Sequence, residues 1–202
     1  MDPVPMRLFA AVLPPEPVAD ELARAAESLR ALPGAGELRW TERAGWHFTL
    51  AFYGEVGDEG TREELCERLA RAARRASPLT LRLAGGGRFG DRALWAGLGE
   101  GSDREPLKRL AGAAVAAGRR SGLAMEDTHG SFRPHLTLAR VRRPEPVDLR
   151  PYVEALGPFT GTSWTADRLT LVRSRLPDSG VEGEKPRYEA LTSWSLGPGG
   201  GE

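Results

Sequence analysis

Two short stretches carry side chains suited to proton transfer: His47-Phe48-Thr49-Leu50 and, in the second half of the chain, His135-Leu136-Thr137-Leu138. Both lie in apolar, strand-like surroundings, from Trp46 to Tyr53 and from Phe132 to Val141. Alternate side chains of a strand point to opposite faces. His47 and Thr49 therefore share one face, and His135 and Thr137 sort the same way, with Phe48, Leu50, Leu136 and Leu138 left to anchor the strands. Imidazole titrates near neutrality, so one ring can hold a proton while another takes one. Two imidazoles and two hydroxyl donors meeting in one cleft suit phosphodiester chemistry without a metal. One ring would activate water, the other would protonate the departing oxygen, and the hydroxyls would donate to the oxygens where charge accumulates. A lone strand histidine is by default structural; here the repeated local pattern favours the functional reading. The residues alone do not say which ring gives the proton and which receives it.

The elements that must position these groups follow in order. Met6 to Leu13 is an apolar run closed by Pro14-Pro15, a first strand. Val18, Leu22, Ala25, Leu29 and Leu32 recur at helical spacing up to Pro33-Gly34. Leu38 to Trp40 is a short extended piece leading into the first histidine strand, which Gly54 ends. A second helix fits Thr61 to Ala76, with Thr61 as its N-cap. Leu79, Leu81 and Leu83 alternate as a half-buried strand; Gly85-Gly86-Gly87 follows, then a strand from Ala93 to Leu98. A third helix opens near Asp103 and fades at Gly118 to Gly122. A fourth, short one spans Leu149 to Leu156, with Pro151 in its first turn. Arg168 to Leu176 and Tyr188 to Leu196 are closing strands around a turn-rich Pro177 to Lys185, and Gly197 to Glu202 is a mobile tail. A helix followed by a His-x-Thr-Leu strand in each half suggests a duplication. The fold class expected is α+β, with two helix-backed antiparallel sheets facing each other across a cleft. With no Pro- or Ser-rich linker between them, the two lobes should interlock as one domain.

Bulk composition excludes several classes. At 202 residues, 40% apolar and 28% charged, the chain can bury a substantial core. Basic and acidic residues balance at 28 each, so no global field draws the protein to nucleic acid or membrane, and any such contact must be local. Cys66 stands alone, which excludes an intramolecular disulfide and a multi-cysteine metal site. No apolar run reaches membrane-spanning length and no signal segment opens the chain, so a soluble cytoplasmic protein is the expectation.

At the histidine motifs the chain resembles the two-histidine (2H) phosphoesterases, specifically the RNA 2′,3′-cyclic phosphodiesterase family, also called 2′-5′ RNA ligase. The resemblance covers nearly the whole chain. It takes in Arg7-Leu8-Phe9-Ala10, His47 to Glu55, Leu94-Trp95-Ala96-Gly97, Phe132-Arg133-Pro134-His135-Leu136-Thr137-Leu138-Ala139-Arg140 and Leu171 to Leu176. It implies a bilobal, pseudo-symmetric fold around a central cleft, with neither metal nor nucleotide cofactor. The implied activity is hydrolysis of RNA 2′,3′-cyclic phosphate ends to 2′-phosphomonoesters, and some members also join RNA ends through a 2′-5′ linkage. The resemblance makes His47 the proton donor to the 3′ oxygen and His135 the proton acceptor that activates water. Thr49, Thr137 and Arg140 would bind the phosphate. Strict alternation from His135, however, puts Arg140 on the opposite face, so it reaches the phosphate only if the strand bends, bulges or ends first.

Other features have plainer readings. His129, in the polar stretch 127–131, reads as surface loop. The five tryptophans read as core or interface, and Gly85-Gly86-Gly87 lacks the Lys-Ser/Thr and helix start of a phosphate loop. Arg71, Arg74 and Arg75 read as a solvated helix face. Arg119 and Arg120 do too, unless their helix end faces the cleft mouth and an RNA backbone. Two competing functions use the same motifs: a phosphodiesterase for small cyclic nucleotides, and a non-catalytic nucleotide- or RNA-binding module. The sequence does not disclose the oligomeric state or the physiological RNA.

Overall fold

The computed structural model of the chain describes residues 5–125, 132–142, 147–175 and 186–198. His129, the Pro177 to Lys185 turn and residues 199–202 lie outside them. Among the described residues, ten strands and four α-helices make an α+β fold. The strands are β1 (Met6–Val12), β2 (Leu38–Trp40), β3 (Phe48–Val56), β4 (Leu79–Leu81), β5 (Leu83–Phe89), β6 (Ala93–Leu98), β7 (Leu136–Val141), β8 (Trp164–Ala166), β9 (Arg168–Arg175) and β10 (Arg187–Ser195). The helices are α1 (Glu16–Arg30), α2 (Glu59–Arg75), α3 (Arg104–Arg120) and α4 (Arg150–Leu156).

Strand order in the main sheet is β10-β9-β1-β3-β7-β6-β5, with β2 also beside β7 and every pairing antiparallel. Two half-sheets are visible in that order, and among the described residues β3 and β7 join them through a single residue pair, Phe48 with Leu136. β4 and β8 form a separate two-stranded piece. Helices α2 and α3 back the half-sheet containing β3, while α4 backs β5 and β6 and packs on α1. The halves interleave along the chain: β2 leaves α1 to pair with β7, and the late strands β9 and β10 return to β1.

The helices bury one stripe each, as their apolar spacing requires. On α2 that stripe is Leu65, Leu69 and Ala73, all fully enclosed. Burying each leucine stabilises the fold by about 1.5–3 kcal/mol. This core takes in Leu8, Ala10 and Val12 from β1, whereas Phe9 and Ala11 face the other way, into a small cluster with Val172 and Tyr188. Alternation along one strand thus divides the structural core from the floor of the cleft.

The start of α2 differs from the sequence expectation. Its N-cap is Asp58, whose carboxylate accepts from the Thr61 N–H at 2.6 Å, so Thr61 stands inside the first turn. Aspartate is the stronger cap and satisfies one of the helix's orphan donors. The expected single strand from Leu79 to Leu83 is broken at Arg82 into β4 and β5, and the triple glycine lies within β5. A Cβ at Gly87 would lie 2.4 Å from the Trp95 indole, and one at Gly86 would lie 2.4 Å from both Leu156 and the Trp95 carbonyl. The glycines make a flat bed for an aromatic ring, not a phosphate cradle. Among the described residues no helix is long and apolar enough to cross a membrane.

Candidate active site

Both motif histidines stand one residue ahead of their strands, at the point where the half-sheets meet. Because Phe48 pairs with Leu136, continuing that antiparallel register sets His47 across from Thr137 and Thr49 across from His135. The two histidines therefore flank that pair, one on each strand, and alternation sets each threonine on the face of its own histidine.

Each imidazole is held in the same way. His47 Nδ1 lies 2.7 Å from the Gly45 carbonyl oxygen, and His135 Nδ1 lies 2.7 Å from that of Arg133. A carbonyl only accepts, so each Nδ1 carries the hydrogen and each Nε2 is left to exchange a proton in the cleft. Aromatic rings fix the imidazole planes. Phe9 (centroids 4.5 Å apart) and Tyr188 (5.2 Å) flank His47; Phe89 (4.7 Å) and Trp95 (6.2 Å) flank His135.

Arg140 reaches the same face through a bulge. Across β6, Trp95 pairs with Thr137 but Leu94 pairs with Ala139, so Leu138 is an extra residue in β7. Its carbonyl turns to accept from Thr41 N–H at 2.8 Å. The inserted residue resets the alternation and returns Arg140 to the side of Thr137. β3 contains the matching irregularity: Ala11 pairs with Thr49 and Ala10 with Ala51, leaving Leu50 as the extra residue. The place equivalent to Arg140 is then taken by Phe52, an exposed ring under the Arg7 guanidinium at 4.6 Å.

The electrostatics differ between the two rings. Burial is the main cause that holds the pKa of His47 down, to about 4, with the neighbouring His135 and Arg140 charges adding to it. His135 is also lowered, first by burial and then by Arg140 and Arg133, but it is the less enclosed of the two. Arg140 therefore acts on both imidazoles.

Two cavities adjoin the site. One, of about 660 Å³, opens where β3 and β7 diverge and is lined by Thr49, Phe52, Phe89, Phe132, Arg133 and His135 among others. The other, of about 570 Å³, is lined by Trp40, Gly45, Arg140, Arg187 and Tyr188 among others. No group of three or more His, Cys, Asp or Glu side chains among the described residues could hold a metal ion. The structure thus brings His47, Thr49, His135, Thr137 and Arg140 to one face. It adds Phe9, Phe89, Trp95 and Tyr188, which the sequence reading left as core or unassigned. Their signal was present in part, since Phe89 and Trp95 occupy one face of a short hairpin beside the second motif.

Likeness to known proteins bears on the fold and the family. A family model described as "LigT like Phosphoesterase" matches residues 12–95 and again 102–182, one match for each half. An RNA 2′,3′-cyclic phosphodiesterase of Thermus thermophilus is 33% identical over 202 residues, covering 95% of this chain and 90% of the relative. One of Geobacillus stearothermophilus is 29% identical over 78% of this chain, which spans about half (47%) of that relative's length. Crystal structures of Escherichia coli LigT with 3′-AMP (TM-score 0.73, 25% identity, 95% of this chain and 98% of that one) and of a Thermus thermophilus protein (TM-score 0.73, 30%, 97% and 100%) share the fold. With both halves matched in order and both motifs at the central rung, the chain belongs to the LigT-like phosphoesterase family.

Proposed function

We propose that the chain hydrolyses RNA 2′,3′-cyclic phosphate ends to 2′-phosphomonoesters, without a metal or nucleotide cofactor, in the cytoplasm. The observation that carries this reading is the pair of imidazoles, each with Nδ1 tied to a carbonyl and Nε2 free, on either side of one strand rung. His135 Nε2 takes a proton from water as the water oxygen bonds to phosphorus. The bond from phosphorus to O3′ breaks, and His47 Nε2–H protonates the departing oxygen. Thr49 and Thr137 donate to the non-bridging oxygens, and the Arg140 fork offsets their charge. A 5′-hydroxyl in place of water would leave a 2′-5′ linkage by the same steps.

His47 as donor must hold a proton that burial disfavours, and the phosphate's own negative charge supplies the compensation. The basic limb of kcat, which reports the bound enzyme, therefore lies at higher pH than that of kcat/KM. An oligonucleotide ending in a cyclic phosphate, offered in excess chelator, tests the reading: the 2′-phosphate is the expected product. A 3′-phosphate product, or activity lost with the chelator, overturns it. The competing reading, hydrolysis of free cyclic nucleotides, draws support from the 3′-AMP held by Escherichia coli LigT in its crystal. The ratio of kcat/KM for the oligonucleotide to that for 2′,3′-cyclic AMP separates the two.

A further inference from the structure

Helices α2 and α3 run side by side with a groove of about 660 Å³ between them, away from the histidines. Its floor is made of small residues, chiefly Ala72, Ala76, Ala113, Ala116 and Ala117. Its walls carry Arg68, Arg71, Arg75, Arg109 and Arg120 against one acid, Asp103. Asp103 is itself engaged, accepting from the Thr80 N–H at 2.7 Å. Arg68 pairs with Glu64, and Arg71 with Glu67 at 3.5 Å, both one turn away on the same helix. Among the described residues no carboxylate pairs with Arg75, Arg109 or Arg120, all three of which are exposed. In a chain of zero formal charge this is a local concentration of positive charge.

Capping explains only part of it. Arg75 and Arg120 stand in the last turns of their helices, where a cation offsets the carbonyl end of the dipole. Arg109 lies in the interior of α3, where the dipole gives it no such role. From Arg109 to Arg120 the charges span about 16 Å of helix, at about 1.5 Å per residue. A small-residue floor between cationic walls admits a narrow, extended, repeating anion. A phosphodiester backbone has that form, and guanidinium forks match its oxygens.

The groove also lies next to the chemistry. Val115 lines the cavity that holds His135 and Thr49, while its neighbours Ala116 and Ala117 line the groove. One helix, about 10 Å across, separates the two. We propose that the groove between α2 and α3 binds the sugar-phosphate backbone of the substrate RNA upstream of its cyclic end, which crosses the last turns of α3 to reach the histidines. The proposal rests on the RNA-end reading above and turns Arg75 and Arg120 from solvated helix surface into substrate contacts.

The test measures binding and turnover separately in the triple variant R75Q/R109Q/R120Q, with Arg74→Gln as control, since Arg74 shares the last turn of α2 but does not line the groove. The triple variant should bind a single-stranded RNA ending in a 3′-hydroxyl about tenfold more weakly, with the slope of log K against log salt reduced by about 2. KM for a cyclic-ended oligonucleotide should rise to match, while hydrolysis of 2′,3′-cyclic AMP and the R74Q control stay unchanged. RNA affinity unchanged in the triple variant, or weakened equally by R74Q, overturns the groove. So does a loss confined to acidic polypeptide or anionic vesicles, which would assign it another partner. If wild-type protein binds RNA through these arginines yet hydrolyses no cyclic phosphate, the catalytic reading fails, and with it the groove's role as a substrate site.

Discussion

The segments 47–52 and 135–140 are two versions of one device. Each begins with an imidazole tied by Nδ1 to a carbonyl two residues earlier, and each inserts an extra leucine after its threonine. Each imidazole lies against two aromatic rings from its own half-sheet. They differ in burial and in the sixth residue. His47 is the more enclosed, with its pKa held down to about 4, and its segment ends in Phe52; His135 is more open, and its segment ends in Arg140. On the first side the cation comes instead from a neighbouring strand, Arg7 lying over the Phe52 ring. The frame that orients protons is the part the two halves share, while charge and solvent access set them apart. On the proposed division of roles the donor, His47, is the ring whose burial resists protonation, so its proton has to be held by the charge of the bound phosphate.

Removing either ring tests that division most directly. Replacing His47 or His135 by alanine should lower kcat by about 10²–10⁴-fold, read as single-turnover hydrolysis of a cyclic-ended oligonucleotide; a variant that keeps wild-type rate has no proton to move. Burial of His47 should also appear in folding. Its folded pKa lies below the ordinary value of 6.5, so between about 4 and 6.5 the unfolded chain binds a proton that the folded one does not. The stability it contributes is present above pH 6.5 and lost as pH falls towards 4, a loss on the order of 3 kcal/mol. Urea melts of wild type and His47→Asn across that range should show the variant losing less; parallel curves would place the titration elsewhere. The smallest effects come from the sixth position. Arg140→Gln should lower kcat by about 10²-fold if the guanidinium meets charge in the transition state, whereas Phe52→Leu should change kcat little and KM more. Equal losses in kcat would mean that the two positions do the same work.

The motifs and the helices were legible because they rest on period and residue type. α1, α2 and α3 fall where the apolar spacing puts them, apart from the first turn of α2. The face of Arg140 was not legible. A bulge at Leu138 changes which way every later side chain points, yet it needs no glycine or other marker in the sequence. Nor could period explain Gly85-Gly86-Gly87, since the Trp95 ring that needs the space belongs to the next strand. Phe9 reaches His47 from β1, the strand beside β3, but Tyr188 comes from the far end of the chain, and only the return of β9 and β10 to β1 brings it there.

The single pair of Phe48 and Leu136 has a mechanical consequence. Each histidine is one covalent step from that rung, so a single pairing sets the level of both rings in the sheet. A slip of one residue at that pair would turn one histidine away from the face that holds the other. One backbone pairing thus couples the aim of two side chains that stand at 47 and 135 in the chain.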